Sequence, residues 1–545
     1  MRGSTLSGYP SRVYWMSPCD PASVRIDYST ISGATLLREP HGPTSFWITM
    51  NINRKDVASI GQVSGPGLAL IAFWLLPDAA SQGGEGLLTA EGRATIAMAV
   101  WMGVWWLTEA VPLAVTALLP VALFPLLGIA DIRATTSPYA NPLIFLFLGG
   151  FLLGLAIQRF GLHRRIALHV LLLVGSSPRA LIGGFMLACA VLSMWISNTA
   201  TAIMMLPIGA SVLRMIDEHR GKEEGTPCTA EQMRVFGTAL ALGIAYACSI
   251  GGIGTLVGTP PNLVLAAFLA DHYGFDLNML AWMAVGLPLV AVMLPLTWWY
   301  LTRVAFRVPA TPFACGRDVL QSELVGLGAP SHGERVTLVV FLLTAAAWLL
   351  RPILVDWTGL QGITDAGIAM CAALSLFLIP VDRKAGRFAM DWTTARNLPW
   401  EILILFGGGL SLAAAIDRNG VDSFMASGFA GLGGLPPWIL ALAIASVVVF
   451  LTEITSNTAV TTTLMPVLAA TAIATDSPPG MLLTTAALAA SCAFMLPVAT
   501  PPNAIVFSSG YVTVSQMARA GLGLNIVAVL LVTVVVSLSS RLVLF

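Results

Sequence analysis

The sequence runs to 545 residues, of which 56% are hydrophobic and only 10% charged, with a mean hydropathy of +0.81. Soluble proteins carry about 25% charged residues, so this composition excludes a soluble globule and describes an integral membrane protein embedded in a lipid bilayer. The 28 basic residues equal the 28 acidic ones, and a net charge of zero supplies no footing for nucleic acid.

Residues 1–60 are polar, hold scattered Gly, Pro and Ser, and lack an apolar stretch fit for a signal sequence. They are read as a disordered cytoplasmic N-terminal tail, with Met50 as an alternative natural start. Spans of roughly 17–25 residues suit a hydrocarbon core of about 30 Å. They are expected at 64–77, 92–108, 111–129 and 142–160. A basic amphipathic stretch, 161–175, suits the interface. Residues 178–215 have apolar arms around a polar centre, the pattern of a re-entrant hairpin or a broken span. Residues 235–269 cross with a break from Gly251 to Asn262, and 278–302 cross again. A polar cytoplasmic loop, 303–335, divides the chain. The second half follows the same scheme: 336–355, 364–381 and 400–417, an interfacial piece 421–432, a hairpin 436–475, a broken span 480–508 and a final span 517–543.

One short string occurs twice. Residues 193–207 read SMWISNTATAIMMLP and residues 452–466 read TEITSNTAVTTTLMP. Ser193, Ser197, Asn198, Thr199 and Pro207 match Thr452, Ser456, Asn457, Thr458 and Pro466, each pair 259 positions apart (456 − 197). Gly149-Gly150 and Gly408-Gly409 share that offset. A second pair, Gly258-Thr259-Pro260-Pro261-Asn262 and Ala499-Thr500-Pro501-Pro502-Asn503, is offset by 241 (499 − 258), the difference matching a polar insertion near 217–234. A single copy would read as polar residues satisfying local backbone. Two copies in register mark a duplicated unit, 61–302 and 336–545.

Lys and Arg give the orientation. Arg54-Lys55, Arg164-Arg165, Arg214, Arg220, Lys222, Arg234, Arg303, Arg307, Arg317, Arg335, Arg383, Lys384, Arg387 and Arg396 fall on one side of the expected spans. Segments 78–91 and 270–277, on the other, contain none. The fold class that follows is an all-α polytopic membrane protein of about eleven transmembrane spans, N-terminus cytoplasmic and C-terminus outside. An odd number of spans separates the hairpins, so one enters from each face. This is an inverted-topology repeat with two re-entrant helical hairpins and two broken helices, and such repeats hold solute at their interface.

The breaks concentrate oxygen without charge. Asn supplies an amide oxygen, Ser and Thr supply hydroxyls, and unwound backbone adds carbonyls. Ser193 and Thr452 sit one helical turn before Ser197 and Ser456, on the same face. Small residues, Gly258 and Ala499, let carbonyls approach a hard cation such as Na+. Helices that restart at Asn198-Thr199 and Asn457-Thr458 present free N–H groups and about half a positive charge each, which suits a solute with two carboxylates. No Lys or Arg lies at either break, so neutral donors and bound Na+ must hold the anion. Glu453 beside Thr452 admits a cation role or a packing role, and Glu109 reads as a solvated span end. The cysteines at 19, 189, 228, 248, 315, 371 and 492 form no CxxC and read as small apolar residues. The six histidines lack metal spacing; His163 and His169 read as interfacial. No HExxH, GxSxG or P-loop motif appears, which argues against an enzyme and against an organic cofactor.

These strings resemble the divalent anion/sodium symporter family, the sodium–dicarboxylate, citrate and sulfate carriers. The matching pieces are WWLTEAVPLAVTALLPV (105–121), FLFLGGFLLGLAIQRFGLHRRIAL (145–168), both Ser-Asn-Thr turns, SIGGIGTLVGTPPN (249–262) and LPVATPPNAIVFSSG (496–510). The resemblance implies a homodimer, each protomer with a scaffold and a mobile transport domain working by elevator-type alternating access. It implies one sodium site at Ser193, Ser197, Asn198 and Gly258, and another at Thr452, Ser456, Asn457 and Ala499. The anion would touch Asn198, Thr199, Asn457 and Thr458, with Thr259, Thr500 and Pro501 nearby. The expected function is sodium-coupled symport of C4-dicarboxylates (succinate, fumarate, malate) across a bacterial inner membrane. The alternatives are a sodium-independent exchanger, a sulfate or tricarboxylate carrier of the same fold, and, in a different class, an anion channel.

Overall fold

The apolar stretches become helices almost where the sequence puts them. The computed structural model describes residues 54–77, 88–175, 177–219, 229–309, 316–360, 362–429, 431 and 434–539. The expected tail up to residue 53, the connection 78–87 and residues 220–228 of the polar insertion lie outside the described residues.

The first half comprises α1 (Arg54–Leu75), α2 (Ala90–Thr108), α3 (Leu113–Thr116), α4 (Leu119–Leu123), α5 (Ile132–Thr136), α6 (Pro142–Arg159), α7 (Leu162–Val174), α8 (Pro178–Ser193), α9 (Asn198–His219), α10 (Ala230–Gly252), α11 (Pro260–Tyr273) and α12 (Met279–Trp299). After α13 (Gly316–Gly326) come α14 (His332–Thr358), α15 (Asp365–Leu378), a two-stranded ribbon (β1 Pro380–Asp382, β2 Arg387–Phe388) and α16 (Trp392–Ala395). The chain ends with α17 (Trp400–Arg418), α18 (Val421–Phe429), α19 (Pro437–Leu451), α20 (Asn457–Thr475), α21 (Pro479–Ala490), α22 (Pro501–Ser508) and α23 (Val514–Ser539). Among the described residues, eight helical stretches are long and apolar enough to cross a bilayer.

Three expectations change. The span at 111–129 is not one helix: α3 and α4 are separated at Ala117-Leu118. Pro120 has no N–H to give the preceding turn, and the carbonyl of the buried Ala117 is paired by the Tyr139 hydroxyl. The first span starts about ten residues earlier, because Arg54–Val63 continue the helix through Pro66. The loop 303–335 contains α13, whose Glu323 pairs with Arg164 of α7 at 2.5 Å. Arg165 adds a 2.7 Å pair to Glu334 and a bond to the Gly328 carbonyl, so the basic stretch is anchored on its own protein.

Packing repeats with the sequence. The helix before each Ser-Asn-Thr turn lies on the helix that leads into a break, α8 on α10 and α19 on α21. The helix after the turn, α9 or α20, packs on that same helix. These later helices also cross over: α9 packs on α22 and α20 on α11, so each half closes on the break of the other. The centre is dense, and every residue of α10 from Phe236 to Gly252 is buried.

At Gly251 the backbones of α8 and α10 are so close that an added Cβ would lie 2.5 Å from Ala190 Cα. Gly251→Ala must therefore push these helices apart. Overpacking of this kind costs about 1–3 kcal/mol, and a lowered Tm of the purified protein in detergent is the expected result.

Candidate functional site

Each Ser-Asn-Thr turn ends one helix and starts the next. Ser197 Oγ accepts the Ala200 N–H at 3.3 Å and Ser456 Oγ accepts that of Ala459 at 3.5 Å, so the serine of each copy is an N-cap. Asn198 and Asn457 become the first residues of α9 and α20. Their position puts the amide side chains beside N–H groups that have no partner inside the helix.

In the first turn Ser193 is buried and donates to Asn198 Oδ1 at 2.5 Å. Ser197, Asn198 and Thr199 are half-buried. The Asn198 amide presses on the backbone of Gly252, where an added Cβ would lie 2.6 Å from Oδ1. Gly258 in turn packs on Gly252. The expected first set therefore converges: Ser193 reaches Asn198 directly, and Gly258 reaches it through Gly252. In the second turn Thr452 is buried and its hydroxyl donates to the Val449 carbonyl at 3.1 Å. Ser456 and Asn457 are half-buried and Thr458 is buried. Asn457 Oδ1 is buried and has no hydrogen-bond partner. Such an orphaned acceptor costs about 1–3 kcal/mol, and a cation is one group that would satisfy it.

The breaks between α10 and α11, and between α21 and α22, share one construction. Thr259 and Thr500 are extended, at φ −146° ψ 142° and φ −140° ψ 149°, as residues before proline prefer. The tandem prolines then occupy the first helical positions, where a missing N–H costs nothing. Asn262 Nδ2 donates to the carbonyls of Gly252 (3.1 Å) and Thr255 (2.8 Å). Asn503 Nδ2 donates to Ala493 (3.2 Å) and Leu496 (3.1 Å). All three positions in the second set lie 241 after the first, so one hydrogen-bond pattern occurs twice. Each amide oxygen, Asn262 Oδ1 and Asn503 Oδ1, is buried without a partner. The sequence singled out the motif but gave these asparagines no role; their recurrence in both copies was the available signal. Ala499 and Thr500 are buried and Pro501 is exposed.

Other residues that the sequence singles out behave mostly as packing. Trp101 and Trp105 meet edge to face, and Trp106 is buried with its ring N–H on the Leu113 carbonyl. Glu109 is exposed and terminates α2 at φ 47°. Cys189, Cys248 and Cys492 are buried thiols without disulfides.

The family model for the sodium:sulfate symporter transmembrane region matches residues 67–545. A sodium-dependent dicarboxylate transporter, SdcS of Staphylococcus saprophyticus, is 38% identical over 480 residues, covering 88% of this chain and 90% of that protein. SdcS of Staphylococcus aureus strain USA300 is 40% identical over 448 residues, covering 82% and 85%. Among solved structures, the YdaH transporter of Alcanivorax borkumensis (TM-score 0.53, 13% identity, 90% of this chain and 98% of that one) shares the fold. So does MtrF of Neisseria gonorrhoeae (TM-score 0.52, 11% identity, 90% and 95%). The two oxygen-rich turns and the two asparagine-tied breaks thus sit in a membrane transporter rather than an enzyme, and the chain belongs to the divalent anion/sodium symporter family.

Proposed function

We propose that the protein carries a C4-dicarboxylate such as succinate, fumarate or malate into the cell together with Na+. The observation that carries this reading is the duplicated turn, with an amide oxygen of Asn457 left unsatisfied in the interior and no basic side chain at either break. The names of the Staphylococcus relatives, sodium-dependent dicarboxylate transporters, support it.

Two cations would be cargo, one on Ser193, Ser197, Asn198 and the Gly258 carbonyl, the other on Thr452, Ser456, Asn457 and the Ala499 carbonyl. The dianion would lie between the N-termini of α9 and α20, on Asn198, Thr199, Asn457 and Thr458, with Thr259, Thr500 and Pro501 at its edge. The logic is electrostatic. A permanent arginine in the interior costs about 2.5–3.5 kcal/mol on insertion scales. Cations that enter with the solute neutralise it without that standing cost, which couples anion binding to sodium. The hairpins are read as re-entrant and the two halves as inverted repeats, giving about eleven spans. The N-terminus is cytoplasmic and the C-terminus outside, in a bacterial inner membrane. The crossed packing of α9 on α22 and α20 on α11 would let both turns travel as one body, as an elevator within each subunit of a homodimer.

Succinate uptake into proteoliposomes is expected to require an inward sodium gradient. Uptake indifferent to sodium would turn the reading to an exchanger, and competition by sulfate or citrate but not succinate would change the solute. Asn198→Ala and Asn457→Ala are each expected to lower uptake at least a hundredfold with normal amounts of folded protein in the membrane. Normal transport by either variant removes these asparagines from the site.

A further inference from the structure

The two breaks differ in one respect that the duplication does not explain. Positions 194 and 453 correspond at offset 259, and positions 255 and 496 at offset 241. In both halves these two positions bond to each other. In the first half the bond is neutral: the Thr255 hydroxyl donates to the Met194 carbonyl. In the second half Glu453 replaces Met194, and its side chain takes over the task. Glu453 Oε1 accepts the N–H groups of Phe494 (2.7 Å) and Met495 (2.9 Å) and the Asn525 amide (2.7 Å). Oε2 accepts the Leu496 N–H at 2.9 Å.

Glu453 is 3% exposed, and its four contacts are donors, the surroundings of a carboxylate rather than a carboxylic acid. Among the described residues no Lys, Arg or His forms an ion pair with it. A buried charge without a counterion is unfavourable, so a cation close by is favoured. The carboxylate is also linked to the expected cation position. It holds the Leu496 N–H, and the carbonyl of the same residue accepts from Asn503 Nδ2 and from the Ala499 N–H at 3.2 Å. It follows Thr452 directly in the chain. Asn525 on α23 and the Tyr246 hydroxyl, 2.7 Å from the Phe494 carbonyl, fix the same segment from outside.

We propose that Glu453 is a positioning residue for the second cation site. It holds the unwound 494–496 backbone and supplies a standing negative charge, so the second site binds the alkali cation more tightly than the first and fills before it. The two sites of the duplication are therefore unequal. This rests on the sodium-coupled reading above.

The test uses the full-length protein, with NaCl exchanged for choline chloride at constant ionic strength. Two quantities are read: the sodium midpoint for raising Tm in detergent, and the sodium and succinate midpoints for uptake in proteoliposomes. If wild-type Tm and uptake both ignore sodium, the sodium reading itself fails, before any variant is compared. Given a sodium response, Glu453→Gln is expected to raise both sodium midpoints at least tenfold, with the succinate KM at saturating sodium within threefold of wild type. Thr255→Val, which cuts the corresponding tie in the first half, is expected to move the sodium midpoints less than threefold. Should Glu453→Gln not fold, Glu453→Asp keeps the charge and withdraws the oxygens from the 494–496 amides, and at least a threefold rise is required. A lowered Tm with unmoved sodium midpoints, or sodium and succinate midpoints moving together, reduces Glu453 to a structural staple and overturns the proposal. Equal shifts for Thr255→Val and Glu453→Gln overturn the inequality of the two sites.

Discussion

The interior of this protein contains backbone that has left helical geometry, and buried backbone polar groups must find partners. That constraint shapes both breaks. A side-chain amide with two N–H donors can pair two carbonyls from different turns of the unwound chain, as Asn262 and Asn503 do. Leaving such carbonyls alone would cost about 1–3 kcal/mol each. One asparagine therefore keeps a short segment open without letting it collapse into a helix. Small residues follow from the same need. Gly252 and Gly258 lie too close to their neighbours for a side chain, so the opened backbone stays within reach of the Asn198 amide.

Helix restarts do the complementary work. Tandem prolines fix the first turn of α11 and α22, and serine caps fix the first turn of α9 and α20. Four helix N-termini are thus prepared by sequence chemistry alone, near carbonyls held open by amides. Donor-rich and acceptor-rich surfaces meet at the same breaks, which is what a site for a cation and an anion together requires.

Much of this was legible because membrane helices announce themselves by apolar length and because the duplication fixes correspondence between distant positions. The bounds of α6, α17 and α20 fall within a residue or so of the expected spans, since polar caps and prolines stand at their ends. The break inside 111–129 was not legible. Hydropathy is blind to whether Pro120 interrupts a span, and the partner that makes the interruption tolerable, Tyr139, lies outside it. Helix α13 was hidden for the opposite reason: its sequence is polar, and its pairing with α7 through Glu323 and Arg164 depends on tertiary placement. At the candidate site, the serines, threonines and asparagines of the turns stand out in the sequence because they recur at a fixed offset. The donors converging on Glu453 could not, because three of them are backbone N–H groups of a segment forty residues away and the fourth, Asn525, belongs to no repeated string.

The crossed packing of α9 and α20 on opposite breaks has a consequence for how the chain is made. Helix α9 is complete by residue 219, yet its cover, α22, begins at Pro501. At about 5–20 residues per second of synthesis, α9 spends on the order of tens of seconds without the surface it is shaped to meet. In an unfinished nascent chain, therefore, α9 lacks its α22 partner until the last helices are made.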